Sequence, residues 1–517
     1  MSLIKIDNLT HCFGDKVIFN KANLTLFNNE KIGLVGLNGT GKSTLMKMIN
    51  GDIIYDEGKI IVSPKVNVGY LDQHASILGH DSIKDYLRSA FKNLYDIEKK
   101  VNKMSERLES EKNKIKQEEL LKNISDLYEH LDSHDFYSLE SEIDKVASGL
   151  GIASFGINAS VKKLSGGQRA KVMLAKLLLE NPDVLMLDEP TNFLDSEHIE
   201  WLSKYIKSYD GAAIIISHDT DFIDNVTTCI ADIENNQITK YNMKFDKFLI
   251  EKGVRSEQYI QQYKKQQKYI KKLEEFIDKN IARASTSNMA KSRRKTLNKL
   301  EIIEKPNVAS KPTFLFEYRS IGSKILLEVK GLVVGWTKPL LPAIDLSIEK
   351  GEKLAVKGFN GIGKSTFLKT LAGKLNSISG DFKFATACAI EYFDQDNFFD
   401  DESQTPLEYL RGEYPLKSDK ELRGVLSRCG LKSEHVQTEI KKLSGGERAK
   451  TTIARLTLSP CNVLILDEPT NHLDINTLEA LKNAIRSFEG SIIFVSHDNK
   501  FIEEVADKVL DMEKLFS

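Results

Sequence analysis

One stretch of this sequence occurs twice. Segment 163–195 reads KLSGGQRAKVMLAKLLLENPDVLMLDEPTNFLD, and segment 442–474 reads KLSGGERAKTTIARLTLSPCNVLILDEPTNHLD. Each copy contains a Ser-Gly-Gly turn, a run of small and aliphatic residues typical of a helix, and an apolar strand that ends in Asp-Glu. A repeat of this kind predicts two copies of one domain, and it must be settled before any local pattern is interpreted.

A glycine-rich loop precedes each copy, GLNGTGKST at 36–44 and GFNGIGKST at 358–366. Its glycines let backbone N–H groups surround phosphate oxygens at a helix N-terminus, where the helix dipole favours anions. The lysine supplies positive charge to the β- and γ-phosphates, and the serine hydroxyl is placed for Mg²⁺. The predicted phosphate-binding residues are Gly36, Asn38, Gly39, Gly41, Lys42, Ser43 and Thr44, and Gly358, Asn360, Gly361, Gly363, Lys364, Ser365 and Thr366.

The spacing between equivalent residues reveals an insertion in the first copy. Lys42 and Lys364 are 322 positions apart, whereas Ser165 and Ser444 are 279 apart. The first copy therefore carries a net 43 extra residues between the glycine-rich loop and the Ser-Gly-Gly turn. Apolar residues recur there at heptad spacing over 94–108 and again over 120–131, which predicts two packed helices with a turn at 109–114.

Composition narrows the class of protein. Of 517 residues, 41% are hydrophobic and 28% charged, as in a globular protein. The apolar runs, such as Ala212–Ile216, are far shorter than the roughly 20 residues that span a bilayer. The N-terminal segment lacks a signal-peptide pattern, and the five cysteines include no CxxC pair. We therefore expect a cytoplasmic protein with no membrane segment, disulfide or zinc site.

Positive charge is concentrated in one segment. Residues 251–305 contain 15 Lys/Arg against 7 Asp/Glu, although the whole chain carries a net charge of −1. Such asymmetry indicates contact with nucleic acid, and a solvated charged linker is the alternative. Apolar stripes over 259–277 and 297–303 predict two long antiparallel helices with a basic tip, which suits reading the phosphates and shape of structured RNA. The predicted tip residues are Arg283, Lys291, Arg293, Arg294 and Lys295.

These motifs, ordered in the same way in both copies, resemble those of the ATP-binding cassette family. Two cassettes with LDEPTNxLD in each, an arm inserted in the first and a charged helical linker resemble its ABC-F branch. The resemblance implies an α/β fold with two P-loop cassettes joined by a two-helix linker. The expected boundaries are 1–247 for the first cassette with its arm at about 84–140, 248–306 for the linker and 307–517 for the second cassette.

The resemblance also implies that each ATP lies between the phosphate loop of one cassette and the Ser-Gly-Gly signature of the other, within one chain that is a monomer. It assigns hydrolysis to Glu189, Glu468, His218 and His497, and Mg²⁺ to Ser43, Gln73, Asp188, Ser365, Gln395 and Asp467. Phe13 and Trp336 would stack on adenine. The signature residues are Ser165, Gly166, Gly167 and Gln168, and Ser444, Gly445, Gly446 and Glu447, with interface aspartates Asp195 and Asp474.

Two further details of the sequence lead to predictions about the Asp-Glu pair and about the equivalence of the two ATP sites. Because neighbouring residues on a strand point to opposite faces, we expect strand alternation to separate Asp188 from Glu189. Phe193 stands where the second copy has His472, which predicts unequal ATP sites.

ABC-F proteins bind the ribosome near the tRNA exit site and reach the P-site tRNA and the peptidyl-transferase centre through the linker. Some are translation factors and others are ribosome-protection proteins that confer antibiotic resistance; the sequence leaves this open, although the modest linker tip favours a factor. The ATPase pair of a membrane importer is disfavoured by the long basic linker. A structural or DNA-repair cassette protein would need zinc-knuckle cysteines or far longer coiled coils.

Overall fold

The computed structural model describes residues 2–14, 16–37, 39–71, 82–111, 113–280, 287–300, 312–336, 338–359, 361–394, 399–471 and 473–516. Several residues named above lie outside these ranges. They are Asn38, Gln73, Arg283, Asn360, Gln395 and His472.

The first half of the chain is built around a six-stranded sheet of order β5-β6-β7-β3-β8-β9, in which only β9 runs antiparallel to its neighbour. A three-stranded antiparallel sheet of order β2-β1-β4 packs beside it. The elements are β1 Ser2–Phe13, β2 Lys16–Phe27, β3 Lys31–Gly36, α1 Lys42–Asn50, β4 Glu57–Val62, β5 Val68–Leu71, α2 Ile83–Arg88, α3 Lys92–Ser110, α4 Lys114–Ser133, α5 Leu139–Gly149, α6 Gly166–Glu180, β6 Val184–Asp188, α7 Ser196–Ser208, β7 Ala212–Ile216, α8 Thr220–Val226, β8 Cys229–Glu234 and β9 Gln237–Tyr241.

Hydrophobic residues cover the central sheet on both faces. Strands β6 and β7 are buried along their whole length, and their unbroken apolar runs are typical of parallel strands that are covered on both sides. Ile4 and Met46 contribute to one core, between the antiparallel sheet and the central sheet. Leu174 and Phe222 contribute to the other, formed with α5 to α8. This packing fixes the loops at the carboxyl ends of the parallel strands.

The insertion in the first cassette forms a helical arm. Helices α3 and α4 pack along the predicted stripes and bury Val101, Ile124 and Leu131. The turn between them contains neither Gly nor Pro; Asn113 caps α4 instead, its side-chain oxygen accepting the Ile115 N–H at 3.1 Å. The prediction of a helical arm is confirmed.

Two further helices, α9 Phe245–Asn280 and α10 Ser287–Lys299, follow the first cassette. Phe245 and Phe248, in the first turn of α9, are buried in the core of the first cassette. The Arg293 guanidinium lies 3.6 Å from the centre of the Phe276 ring, which joins α10 to α9. The prediction of a two-helix linker is confirmed. Across the described ranges no helix, including the 36-residue α9, is long and apolar enough to cross a membrane.

The second cassette repeats the architecture with a five-stranded parallel sheet of order β14-β15-β16-β12-β17 and an antiparallel sheet of order β11-β10-β13. The predicted α/β fold with two P-loop cassettes is therefore confirmed. The elements are β10 Ile325–Val333, β11 Ile344–Glu349, β12 Lys353–Lys357, α11 Lys364–Leu371, β13 Ser379–Phe384, β14 Ile390–Phe393, α12 Pro406–Glu413, α13 Asp419–Arg428, α14 Ser433–Val436, α15 Gly445–Leu456, β15 Val463–Asp467, α16 Ile475–Ser487, β16 Ser491–Val495, α17 Asn499–Val505 and β17 Lys508–Asp511.

The segment 312–319, which precedes β10, is bonded to the second cassette. The Thr313 N–H donates to the Arg428 carbonyl at 2.8 Å, at the end of α13. Glu317 and Arg319 exchange backbone hydrogen bonds with Cys461, which lies just before β15. Phe314 and Phe316 are buried in the same core as α13 and α15. The chain is thus fastened to the helical part of the second cassette before the cassette's own first strand begins.

Candidate nucleotide sites

Each glycine-rich loop connects a parallel strand to a helix, β3 to α1 and β12 to α11. Gly41 has φ of 102°, and a Cβ there would lie 2.4 Å from Ile18 Cγ2. Only glycine fits this turn without displacing the neighbouring strand β2. A Cβ on Gly36 would lie 2.8 Å from the Ile233 carbonyl oxygen. The loop backbone is therefore held close to the sheet, with the first amides of α1 directed outwards from the strand end.

The predicted lysines occupy equivalent positions in the two loops. Lys42 Nζ donates to the Gly36 carbonyl at 2.9 Å, and Lys364 Nζ donates to the Gly358 carbonyl at 2.7 Å. Burial lowers the pKa of both lysines. Glu189 and Asp188 oppose that effect at Lys42, as Glu468 and Asp467 do at Lys364. Each loop thus holds a cation against the carboxylates of its own cassette.

The hydroxyl and carboxylate predicted for Mg²⁺ meet in both cassettes. Ser365 Oγ donates to Asp467 Oδ1 at 3.0 Å, and Ser43 makes the corresponding hydrogen bond to Asp188. Burial raises the pKa of both aspartates, and the serine bond opposes it. A hydroxyl and a carboxylate oxygen at the edge of a phosphate loop are the hard ligands that Mg²⁺ prefers, so the residues present fit this cation.

The two glutamates do not lie on strands. Strand β6 ends at Asp188 and β15 ends at Asp467, and the following Glu189 and Glu468 have φ of 51° and 50°. Strand alternation therefore does not separate Asp188 from Glu189, and that expectation was wrong. Instead, a left-handed residue turns the chain at the strand end, a conformation that costs a non-glycine residue about 1–3 kcal/mol and clusters at functional sites. The Glu189 N–H still donates to the Ile216 carbonyl at 2.9 Å, which anchors the turn.

Each glutamate lies against the histidine of the same cassette. His218 Nε2 is 3.3 Å from Glu189 Oε1, and His497 Nε2 is 3.1 Å from Glu468 Oε1. Burial raises the pKa of Glu468 to about 8, although Lys364 opposes it. Burial also lowers the pKa of His497 to about 4, and the Lys364 cation adds to the effect. At neutral pH this second pair therefore consists of a protonated carboxyl group and a neutral imidazole.

Sequence reasoning missed a hydroxyl pair that joins these two loops. Thr191 Oγ1 and Ser217 Oγ are 3.0 Å apart, and so are Thr470 Oγ1 and Ser496 Oγ. Each bond connects the loop after the glutamate with the residue before the histidine. The signal was present, because both hydroxyl residues recur in the two copies at the same spacing.

The signature turns are N-caps of α6 and α15. Ser165 Oγ accepts the Gln168 N–H at 3.2 Å, while Gln168 Oε1 accepts the Ser165 N–H at 3.0 Å. Ser444 and Glu447 form the same reciprocal capping box, which explains why glutamine and glutamate are interchangeable at this position. Gly166, Gly167, Gly445 and Gly446 occupy the first helical turns, where backbone N–H groups lack intrahelical partners.

The two cassettes place residues in each other's sites. Asp195 of the first cassette is close enough to Lys364 and His497 of the second to oppose the lowering of both pKa values by burial. Asp474 of the second cassette does the same at Lys42 of the first. A direct ion pair, Lys500 Nζ to Asp221 Oδ1 at 3.9 Å, also crosses between the cassettes. The predicted interface aspartates therefore lie at the opposite cassette's phosphate loop.

The adenine-stacking candidates are exposed. Phe13 is 51% exposed and Trp336 is 72% exposed, so each ring is accessible to a ligand. The edge of His11 packs against Phe13 with ring centres 4.7 Å apart, a contact for which Trp336 has no counterpart among the described residues. Phe193 lies beside the signature turn, because a Cβ atom added at Gly167 would be 3.6 Å from the Cβ atom of Phe193.

Two phosphate loops, two Ser–Asp pairs and two Glu–His pairs on P-loop sheets define a protein with two nucleotide-hydrolysing cassettes. The family model described as ABC transporter matches residues 19–192 and 341–471, and an extension model with the same description matches residues 231–316. The uncharacterised ABC transporter ATP-binding protein YfmM of Bacillus subtilis is 40% identical over 99% of both chains. ABC transporter F family member 5 of Arabidopsis thaliana is 32% identical over 99% of this chain and 75% of its own.

Solved structures share the fold. An RNase-L inhibitor superposes with a TM-score of 0.59 at 18% identity, covering 98% of this chain and 87% of its own. A model of ribosome-bound archaeal Pelota and ABCE1 gives a TM-score of 0.55 at 19% identity, covering 98% and 76%. The chain belongs to the ABC-F family of ATP-binding cassette proteins. It binds ATP and is an ATPase.

Proposed function

We propose that this ATPase is a cytoplasmic translation factor that binds the ribosome near the tRNA exit site and acts through its linker on the P-site tRNA and the peptidyl-transferase centre. One observation carries the proposal: a helical hairpin that is rooted in the first cassette presents exposed cationic side chains. Lys291, Arg294 and Lys295 are exposed on α10, next to its connection with α9. Clustered cations on paired helices suit the phosphates of folded RNA. One structural neighbour is described as ribosome-bound, which agrees with this partner.

The proposed chemistry uses the residues that the fold brings together. The loop amides and Lys42 hold the phosphates, and Ser43 and Asp188 would hold Mg²⁺, which supplies positive charge to the phosphate oxygens when bound. Glu189 would polarise the attacking water, and His218, 3.3 Å away, would contact the γ-phosphate. Lys364, Ser365, Asp467 and His497 would have the same roles at the second site, where Glu468 would polarise the attacking water after losing the proton that burial favours. Gln73 and Gln395 remain predicted Mg²⁺ ligands outside the described residues.

Each site would be completed by the signature turn of the other cassette. The aspartates Asp195 and Asp474 already reach across in this arrangement. Two ATP molecules would therefore hold the cassettes together within one monomer, and hydrolysis would release them. ATP shifts the equilibrium only through its higher affinity for the closed form, and we propose that this closed form is the one that binds the ribosome.

The test is sucrose-gradient sedimentation of cell extract containing the Glu189→Gln/Glu468→Gln protein and ATP. We expect this hydrolysis-deficient form to co-migrate with ribosomes, because it stays closed. Adding Lys291→Gln, Arg294→Gln and Lys295→Gln should weaken the association, and because salt already weakens these phosphate contacts in the parent protein, the weakening should be smaller at higher salt. Arg293 is spared because it packs on Phe276. The matched control replaces Lys420, Arg423 and Lys432, which are exposed on the second cassette, with Gln.

Retention at the top of the gradient by the double variant would refute the proposal. Equal weakening by the linker and control substitutions would refute the role of the linker. Ribosome footprinting of the bound form would then locate the linker tip relative to the exit site.

A further inference from the structure

The two interface aspartates are held in different ways, although they are equivalent in the repeat. In the second cassette, Asp474 caps α16: Oδ1 accepts both the N–H and the hydroxyl of Thr477 at 2.9 Å. Its other oxygen accepts a hydrogen bond from Lys450 Nζ at 3.0 Å. Burial raises the pKa of Asp474, but Lys450 and Thr477 outweigh burial and the net shift is downward. The carboxylate is thus fixed to the start of its own helix.

In the first cassette, the residue equivalent to Thr477 is His198, 279 positions earlier. The Asp195 side chain makes no capping hydrogen bond to α7. Asp195 Oδ2 lies 3.8 Å from Lys171 Nζ and 3.8 Å from His198 Nε2. A histidine has therefore taken the place of the hydroxyl residue that locks the aspartate of the other cassette onto its helix.

His198 has a second partner, which lies in the helical part of the first cassette. Its Nδ1 is 3.0 Å from the Gly149 carbonyl oxygen, at the end of α5. The ring also fills the space beside Gly151, where a Cβ would lie 2.2 Å from Nε2. His198 therefore lies between the end of α5 and the interface aspartate, at hydrogen-bond distance from the first and 3.8 Å from the second.

In the second cassette, the position that corresponds to the end of α5 is contacted by the chain segment that precedes β10. Arg428, the counterpart of Gly149, accepts the Thr313 N–H at 2.8 Å. Gly430, the counterpart of Gly151, faces Pro312, whose Cγ would lie 2.9 Å from a Cβ there. The end of the corresponding helix is thus tied to segment 312–319 in the second cassette and to Asp195 in the first.

We infer that His198 is a positioning residue for the second ATP site: it couples the end of α5 in the first cassette to Asp195, which acts at Lys364 and His497. This inference rests on the composite ATP sites proposed above. Among the described residues the coupling has no counterpart at the first ATP site, because Thr477 rather than a histidine holds Asp474 there. Hydrolysis at the second site therefore depends on the position of α5, whereas hydrolysis at the first site does not depend on α13 in this way.

The test compares His198→Thr, which installs the residue of the second cassette, with the mirror variant Thr477→Ala. Each is made in two full-length backgrounds, Glu189→Gln, which leaves the second site to hydrolyse, and Glu468→Gln, which leaves the first. Steady-state ATPase is measured. In the Glu189→Gln background we expect His198→Thr to lower kcat about fivefold, with KM for ATP changed less than about twofold. The loss should be several times smaller in the Glu468→Gln background, and Thr477→Ala should show the opposite preference.

Equal losses in both backgrounds would overturn the inference, because a merely structural effect does not distinguish the sites. No loss in the Glu189→Gln background would overturn it too. If Glu→Gln leaves hydrolysis intact, the assignment of the glutamates fails instead, which is a separate result. If each single Glu→Gln variant is inactive, release of radiolabelled ATP from the double variant replaces turnover. His198→Thr should then accelerate one release phase and Thr477→Ala the other; acceleration of the same phase by both would refute the inference.

Discussion

The buried carboxyl group of Glu468 should make the protein less stable as the pH rises, and Glu468→Gln should remove this effect. Burial raises the pKa of Glu468 from 4.5 to about 8. In the unfolded chain the group releases its proton near pH 4.5, whereas in the folded protein it retains the proton to about pH 8. Stability associated with this group is therefore fully present below pH 4.5 and is lost progressively as the pH rises towards 8.

The size of the effect follows from the shift. One pKa unit corresponds to about 1.4 kcal/mol. Between pH 5.5 and 7.5, an interval of two pH units, the folded protein loses about that much stability per unit, reduced by the coupled titration of Lys364 and its neighbours. We therefore compare the free energy of unfolding of Glu468→Gln with that of wild type. The difference in favour of the variant should be about 2 kcal/mol larger at pH 7.5 than at pH 5.5. For a domain of this size that is an increase of about 4–8 °C in the relative Tm of the second cassette.

The assay is differential scanning calorimetry of both proteins at pH 5.5 and 7.5, without nucleotide, with the two cassettes fitted as separate transitions. Glu503→Gln, at an exposed position of α17, controls for the loss of one negative charge. A Glu468→Gln advantage that is the same at both pH values, or one that the Glu503→Gln protein shares, would show that the Glu468 carboxyl group is not kept protonated by burial.

Two further predictions concern the first cassette. Gly41→Ala should lower apparent stability by about 2–5 kcal/mol, because its Cβ would lie 2.4 Å from Ile18 Cγ2, whereas Gly363→Ala, whose nearest contact is 3.4 Å away, should cost only the backbone strain of about 1–2 kcal/mol. Urea unfolding of the two variants checks this, and equal costs would contradict it. Lys252→Met should cost about 3 kcal/mol, because it leaves the buried Asp232, 2.5 Å from Lys252 Nζ, without its cation. A fluorescence unfolding curve that matches the wild-type curve would refute this.

The fold was readable from the sequence because its signals are long and repeated. The spacing of Lys42, Ser165 and His218 against their second copies separated two cassettes and one insertion. The heptad stripes specified helices because burying one face of two neighbouring helices leaves few other solutions. The buried runs of β6 and β15 likewise admit little except central parallel strands.

Details that depend on three-dimensional neighbours were not readable. The left-handed conformation of Glu189 has no local signature, since glycine or asparagine is the usual residue at positive φ. The partners of Asp195 lie on α6 and α7, and nothing in the linear spacing distinguishes a capping threonine from a bridging histidine. The protonated state of Glu468 follows from burial, which a motif cannot report.

The attachment of segment 312–319 has a mechanical consequence. One end of the linker is rooted in the first cassette, where Phe245 and Phe248 are buried in the core. Segment 312–319, which follows the linker along the chain, is bonded to the end of α13 and to Cys461 before β15. A load that reaches segment 312–319 would therefore act at the boundary between the helices and the sheet of the second cassette, one strand from Glu468. Such a load and the binding of nucleotide would act on neighbouring parts of the second cassette, so tension on segment 312–319 would be felt at the loop that carries Glu468.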